Sequence, residues 1–377
     1  MKICIVTHKL VKGDGQGRVN YEVACEALAQ GHELILVAGD IADHLSQNPQ
    51  VTWVRISVDS WPSALLRNLM FSYQSSRWLQ LHRQKFDVLK INGNISDVRS
   101  TINAVHFVHS AWLKNTYNPT HQRRCWLSPK NAYQRLYTTL NAHWEKKAFQ
   151  KSETLVAVSR QVEQELLEIG VKQNQVKTII NGVDLNEFCP GPADRYQLGL
   201  PLQQVLALFV GDIKTPRKNL DTVLQALTQV QNLHLIVVGS TEKSPYPQLA
   251  KTLNIANRVH FLGFRRDVAQ IMKAVDFFVF PSRYEACSLV LLEAMASGLP
   301  IITAQSAGGS ELVDHRCGIV LENPDDVVQL AEAMEKLAYD ASVCHTMGQS
   351  ARLIAEDHSW TTMAQQYLDL ALSHSKL

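Results

Sequence analysis

The sequence predicts an α/β protein built of two doubly wound domains, each a parallel sheet covered by helices. Three observations carry this. Short runs rich in Ile, Val and Leu alternate with segments of helical period, the pattern of parallel strands joined by crossover helices. The alternation stops at Cys189-Pro190-Gly191-Pro192, which breaks both periods, and then begins again. The length, 377 residues, is too great for one ordinary domain and suits two of about 180 each.

In the first half, residues 3–6 are uniformly apolar, as a parallel strand buried on both faces must be. Residues 17–30 carry Tyr21, Val23 and Leu28 at helical spacing before Gly31. Strand-like runs follow at 33–38 and 51–56, a helical pattern at 63–83, and further strand-like runs at 88–91, 105–108 and 154–159. The second half repeats the scheme. Strands are expected at 205–210, 234–238, 258–262, 276–280 and 300–303, with helices at 220–230 and after Cys287. A last helical pattern runs from Trp360 to Leu372 through Met363, Tyr367 and Leu370. The expected domains are residues 1–187 and 188–358, with 359–377 as the terminal helix.

Composition narrows the class. The chain is 46% hydrophobic and 19% charged, as in globular proteins, and no apolar run approaches the roughly 18 residues of a membrane span. The apolar start at 3–6 is too short for a signal-peptide core. Seven cysteines without CxxC spacing read as reduced thiols of a cytoplasmic protein, Cys287 among them as a small buried hydrophobe. The net charge of +2 hides an asymmetry: residues 1–190 carry 22 Lys and Arg against 16 Asp and Glu, residues 191–377 carry 15 against 19. Within 55–151 the balance is 15 basic to 4 acidic, with Trp61, Tyr73, Trp112, Trp126, Tyr133 and Trp144 interleaved. Such a surface fits an anionic membrane face or an anionic acceptor. No nucleic-acid recognition motif accompanies it, so nucleic acid is not expected as a partner.

The most informative stretch is Phe280-Pro281-Ser282-Arg283-Tyr284-Glu285-Ala286-Cys287-Ser288-Leu289, which leads through Glu293 to Ser297-Gly298-Leu299-Pro300. Leu289, Leu292, Ala296 and Leu299 mark a helical face, so Glu293 falls about one turn into a helix and Glu285 in the loop that feeds it. Both then border one helix N-terminus. Backbone N–H groups there favour a phosphate, and a carboxylate beside them can accept two hydrogen bonds from a vicinal diol. This is the chemistry of a nucleotide sugar.

The stretch resembles the E-x7-E motif of the retaining glycosyltransferases of family 4 (glycosyl transferases group 1), which have the GT-B fold: two Rossmann-like domains facing a central cleft. The resemblance implies that Glu285 contacts donor-sugar hydroxyls and Glu293 the ribose diol, with Ser288 and Leu289 also at the donor. Where the family has an aromatic residue and Gly, this chain has Cys287 and Ser288. In the segment Gly211-Asp212-Ile213-Lys214-Thr215-Pro216-Arg217-Lys218-Asn219, Lys218 falls at the family's diphosphate-binding lysine. Asp212 stands where an arginine is expected, and Arg217 or Lys214 can supply the missing cation. The loop Gly263-Phe264 after the third strand of the second domain is expected under the base, and backbone contacts there leave the base open. Glu311, after Gly308-Gly309, is expected to be structural. In the first domain, Gly15 and Gly17 in the loop 12–18 are expected against the donor phosphate and sugar. His109, at the end of the 105–108 strand, is expected to contact donor or acceptor, while His106 points into the core. Asn92-Gly93 borders the acceptor, and Asn181-Gly182 forms an interdomain hinge. The terminal helix crosses back onto the first domain.

The resemblance implies a retaining, metal-independent glycosyltransferase with Glu285, His109 and Lys218 as catalytic residues. The donor implied is a nucleotide diphosphate sugar, with a UDP-sugar expected, and the acceptor is a glycan or glycolipid hydroxyl in cell-surface polysaccharide assembly. No cofactor is expected, because neither Asp-x-Asp nor a His/Cys cluster with ligand spacing occurs. The expected location is cytoplasmic, peripheral on the inner membrane face. Two rivals differ in class. A dinucleotide-binding dehydrogenase would use Asp40 on the ribose, yet Gly13, Gly15 and Gly17 lack the third glycine of G-x-G-x-x-G and lie too far past residue 6. A binding or regulatory module would show neither donor hydrolysis nor transfer.

Overall fold

The computed structural model describes residues 1–13, 15–118 and 129–375, and the chain divides into two compact units. One comprises Met1–Asn181 with Trp360–Leu377, the other Gly182–Ser359. The division falls six residues before the expected 187/188 boundary and one after the expected 358/359 boundary. Residues 182–187 belong with the second unit for a visible reason. Val183 N–H donates to the His358 carbonyl at 2.9 Å, and Arg352 Nη1 donates to the carbonyls of Leu185 and Phe188.

The first unit is a seven-stranded parallel sheet of β1 (Lys2–Val6), β2 (Glu33–Ala38), β3 (Val51–Arg55), β4 (Val88–Asn92), β5 (Ser100–Val105), β6 (Ser152–Ala157) and β7 (Val176–Thr178), in the order β3-β2-β1-β4-β5-β6-β7. Alternate residues of β1 feed two cores. Ile3 and Ile5 pack with helix α1 (Gly15–Ala29) and with Met363, Tyr367 and Leu368 of the terminal helix Trp360–Ser375. Cys4 and Val6 face the other way, onto Phe71 and Leu79 of helix α2 (Ala64–Leu81). This is the period-two exchange of faces along a strand. Arg18 on α1 also covers the Trp360 ring at 5.2 Å.

The expected strand at 105–108 is corrected. The strand is β5, ending at Val105, and His109 opens a short helix, α3 (His109–Lys114). The cause is the carboxylate of Glu145, on helix α4 (Pro129–Gln150), which accepts the N–H groups of His109 at 2.9 Å and Ser110 at 2.7 Å. Those are the orphan donors of a helix start, so the chain turns helical there.

The second unit is a six-stranded parallel sheet of β8 (Val205–Val210), β9 (Leu233–Val238), β10 (Val259–Gly263), β11 (Phe277–Phe280), β12 (Ile301–Ala304) and β13 (Gly318–Leu321), ordered β10-β9-β8-β11-β12-β13. Helix α5 (Leu220–Leu227) follows β8 and helix α6 (Leu289–Ala296) follows β11. In both sheets the strand order reverses beside the first strand, between β1 and β4 and between β8 and β11. Ligands of such sheets bind outside the carboxyl ends of the strands at that reversal. Among the described residues no helix is long and apolar enough to cross a membrane.

Candidate active site

In the second unit, the loops leaving β8 and β11 bring three predicted residues together. Glu285 Oε1 accepts hydrogen bonds from both Arg217 Nη1 and Lys218 Nζ. Arg217 also donates to the Tyr284 carbonyl at 3.2 Å, and the Lys218 ammonium lies over the Phe280 ring at 5.0 Å. The Glu285 and Lys218 side chains are only 12% and 13% exposed, so the pairing is largely shielded from water. Burial pulls the Lys218 pKa below the usual lysine range, against the opposing pull of Glu285.

The supporting shell was not foreseen. Arg283, inside the motif, forks onto Asp221 at 2.9 and 2.7 Å, reaches Asp325 at 2.7 Å and donates to the Pro216 carbonyl at 2.6 Å. Its own N–H donates to the Arg217 carbonyl at 2.9 Å, and Ser282 Oγ donates to the same oxygen at 3.1 Å. The turn 216–218 that presents the two cations is thus held at both ends. Asn219 closes it in the left-handed region, with φ 66°, and its buried amide donates to the carbonyls of Pro281 and Pro324. Arginine in a polar motif reads from sequence as a solvated charge, and only the fold reveals its two carboxylate partners.

Glu285 is also fixed through its backbone. Gly308 N–H donates to the Glu285 carbonyl at 2.8 Å, and Ser288 N–H donates to the Gly308 carbonyl at 2.8 Å. A Cβ at Gly308 would overlap the Ala286 carbonyl oxygen, so only glycine permits this approach. Ser288 is the N-cap of α6, yet its side chain caps nothing, and its buried hydroxyl has no hydrogen-bond partner among the described residues. Leu289 opens α6, and Glu293 lies half-buried at its fifth residue. Asp212, the departure from the family pattern, accepts the Lys214 N–H at 3.0 Å in a turn of its own, while Arg217 holds the place beside Lys218. Gly263, with φ 71°, ends β10 and Phe264 beside it is 75% exposed, both at the carboxyl edge of the same sheet. Glu311 accepts the Gly309 N–H at 2.8 Å.

In the first unit a groove of about 920 Å³ opens at the carboxyl ends of β1 and β4, walled by α2 and α4. His109 lines it, and burial pushes its imidazole down to about 4, so the ring is neutral at ordinary pH. Its Nδ1 is buried without a hydrogen-bond partner among the described residues, and the ring meets Phe107 and Tyr137 edge to face. Gly15 is the first residue of α1 and Gly17 is buried in its first turn, while Gln16 between them lines the groove. Asp14 lies outside the described residues, as do Arg123, Arg124 and Trp126 of the basic, aromatic stretch. Among the described residues no cluster of three His, Cys, Asp or Glu has metal-binding spacing.

Residues 13–187 match the family described as Glycosyltransferase Family 4, and residues 204–340 match Glycosyl transferases group 1. Lipopolysaccharide glucosyltransferase WaaG of Escherichia coli (strain K12) is 31% identical over 182 residues, covering 47% of this chain and 48% of that protein. The chain spans about half the length of the curated relatives it matches. Sucrose-phosphate synthase from Thermosynechococcus elongatus superposes with a TM-score of 0.77 at 18% identity, covering 99% of this chain and 98% of that one. Anabaena HepE in complex with UDP gives 0.71 at 22% identity, covering 99% and 100%. At such identities the structures establish a shared fold.

Proposed function

Because the chain belongs to the family 4, group 1 glycosyltransferases and has their GT-B fold, we propose that it is a retaining enzyme moving a sugar from a UDP-sugar to an acceptor hydroxyl. The observation that carries this is the pair of cations, Arg217 and Lys218, held on Glu285 next to the N-terminus of α6. In the reaction, the bond from the anomeric carbon to the diphosphate oxygen breaks and its electron pair leaves with the diphosphate. The acceptor oxygen bonds to the same face of the sugar, and its proton passes to the departing phosphate oxygen. Lys218, Arg217 and the exposed N–H groups of α6 oppose the charge that develops on the diphosphate.

Glu285 serves twice, orienting the two cations and accepting hydrogen bonds from donor hydroxyls. Glu293 accepts from the ribose diol, with Ser288 and Leu289 at the donor beside it. His109, neutral and lining the groove of the first unit, hydrogen-bonds a sugar hydroxyl. With protein cations on the leaving group, transfer proceeds without a metal ion, and excess chelator leaves the rate unchanged. The name of one relative, lipopolysaccharide glucosyltransferase, and a neighbour bound to UDP support a UDP-sugar donor and a cell-surface glycan acceptor.

The enzyme works at the cytoplasmic face of a membrane. The support is an exposed apolar face on α2 and α4: Leu66, Leu69 and Tyr73 on one, Tyr133 and Leu136 on the other, with Arg67 and Lys130 nearby in sequence. The Leu65 N–H donates to the Tyr133 hydroxyl at 3.1 Å, which joins the two helices there. Each basic residue near an anionic leaflet contributes about 1 kcal/mol, screened by salt. Sedimentation with anionic liposomes should fall with salt and with Arg67→Glu/Lys130→Glu. Equal partitioning onto neutral vesicles would remove the membrane from the account.

The central test is calorimetry with UDP followed by incubation with UDP-sugars. Binding with slow donor hydrolysis, and a transferred sugar that keeps its anomeric configuration by NMR, are expected. Binding with neither hydrolysis nor transfer to any hydroxyl would make the chain a nucleotide-binding module.

A further inference from the structure

We propose that the groove of the first unit holds a recognition site for an anionic group on the saccharide seated there, formed by Arg77 on α2 and Lys147 on α4. This rests on the glycosyltransferase reading only for the statement that the saccharide is the acceptor.

The walls are two facing helical stripes. From α2 they present Asn68, Ser72 and Ser76, and from α4 Tyr137, Asn141 and Trp144. Spacings of four or three residues keep each set on one face. Amides, hydroxyls and an indole suit sugar rings, which offer hydroxyls at the edge and C–H groups on the face. At one end, near His109, every lining group is neutral: Asn68 Nδ2 donates to the Tyr137 hydroxyl at 2.8 Å, and the His109 ring carries no proton charge.

Charge collects at the other end. Asp97 is the one carboxylate among the residues lining the groove, and it is already satisfied, since Lys151 Nζ donates to its Oδ1 at 2.5 Å. Ser76 Oγ accepts the Asp97 N–H at 2.8 Å, which brings this ion pair against the turn of α2 that carries Arg77. On α4, Lys147 lies one turn before Lys151. Arg77 and Lys147 thus line, as exposed side chains, a groove whose single carboxylate is already held by Lys151. Neither Arg77 nor Lys147 forms an ion pair with a described carboxylate, and the buried Glu145 near Lys147 in sequence is committed to the start of α3. Two cations without a carboxylate partner on the walls of one groove repel one another, and a bound anion relieves that. A guanidinium fork and an ammonium facing one groove match a phosphate monoester or a carboxylate. The groove thus takes a neutral hydroxyl at the His109 end and an anion at the Arg77 end.

The test uses ligand-observed NMR with glucose, glucose 6-phosphate and glucuronate, in saturating UDP so that the sugar phosphate cannot occupy the diphosphate site. Glucose 6-phosphate is expected to bind about tenfold more tightly than glucose through charge-assisted bonds, with the advantage fading as salt rises. Glucuronate sharing the advantage identifies any compact anion as the ligand, and glucuronate binding like glucose identifies a phosphate monoester. In the double variant Arg77→Gln/Lys147→Gln the advantage should vanish while UDP affinity and thermal stability stay unchanged. Equal binding of all three sugars, or an undiminished preference in the variant, overturns the proposal. Failure of UDP to bind at all would instead sink the glycosyltransferase reading, and the three sugars would still judge the groove.

Discussion

Glu285 is the residue on which the second unit's site converges, because one carboxylate oxygen organises two cations that would otherwise repel. Glu285→Gln keeps the shape and removes the charge. Turnover should fall about 100-fold, the cost of a lost electrostatic element, while UDP affinity changes far less. Equal kcat in the two proteins would remove Glu285 from the reaction. In the first unit the corresponding residue-scale surprise is Lys90, which is 2% exposed in the middle of β4. Its ammonium meets Asn20 Oδ1 at 2.5 Å, Asn92 Oδ1 at 3.5 Å and the Tyr367 ring at 4.9 Å, with no carboxylate partner among the described residues. Burial pushes it down to about 7. The unfolded chain keeps this proton to about pH 10.4, so the folded state binds fewer protons across the interval between. Stability from this residue is therefore present at high pH and is lost as pH falls through about 7. Lys90→Met should raise the melting temperature below about pH 7 by a margin that narrows as pH rises from there toward about 10.4. A margin independent of pH would show that Lys90 does not titrate in that window.

The elements that present the site are the two loops at the strand-order reversal, and they are kept in place by backbone contacts more than by side-chain charge. Gly308→Ala should force residues 285–288 away from 307–309, because the added carbon overlaps the Ala286 carbonyl. Overpacking of this kind costs about 1–3 kcal/mol, and kcat should drop with it, since Glu285 moves with its own backbone. Arg283→Lys keeps the charge and loses the fork onto Asp221, so it should depress kcat while leaving the UDP dissociation constant within about threefold. Retained kcat in both variants would mean the loops tolerate displacement. These elements also show where sequence reading reaches its limit. Spacing put Glu285 in a loop and Glu293 in the following helix, because apolar residues at i, i+3 and i+7 mark a helical face regardless of context. It placed His109 at the end of a strand, because Val105, Phe107 and Val108 have strand propensity, and nothing local betrays a carboxylate 36 positions away that caps a helix there. The contacts of Arg283 and Gly308 are likewise long-range, invisible to any periodicity.

At the scale of the molecule, the alternation of apolar runs and helical patterns was sufficient to anticipate two parallel sheets, since strands buried on both faces leave an unbroken apolar signature. The short edge strands β7 and β13 and the helices 327–339 and 341–356 escaped, the first for lack of length and the second because their apolar residues are spread among Ala and polar positions. The C-terminal helix makes the chain's organisation discontinuous, and this has a consequence for stability. Met363, Ala364, Tyr367, Leu368 and Ala371 are all within 2% of full burial in the first unit's core, together with Ile3, Ile5 and residues of α1. A chain ended at Ser359 would leave that face of the sheet and of α1 open to water. Each large side chain so exposed forfeits about 1.5–3 kcal/mol of burial, and several such losses exceed the net stability of an ordinary domain. The second unit, Gly182–Ser359, keeps its whole sheet in the shortened chain. Hydrogen exchange should accordingly show the amides of β1, β2 and β4 unprotected while β8, β9 and β11 remain protected, and UDP should still slow exchange in the second unit. Loss of protection in both units together would show that they fold as one cooperative body, and full protection in both would show that the terminal helix contributes little to the first core.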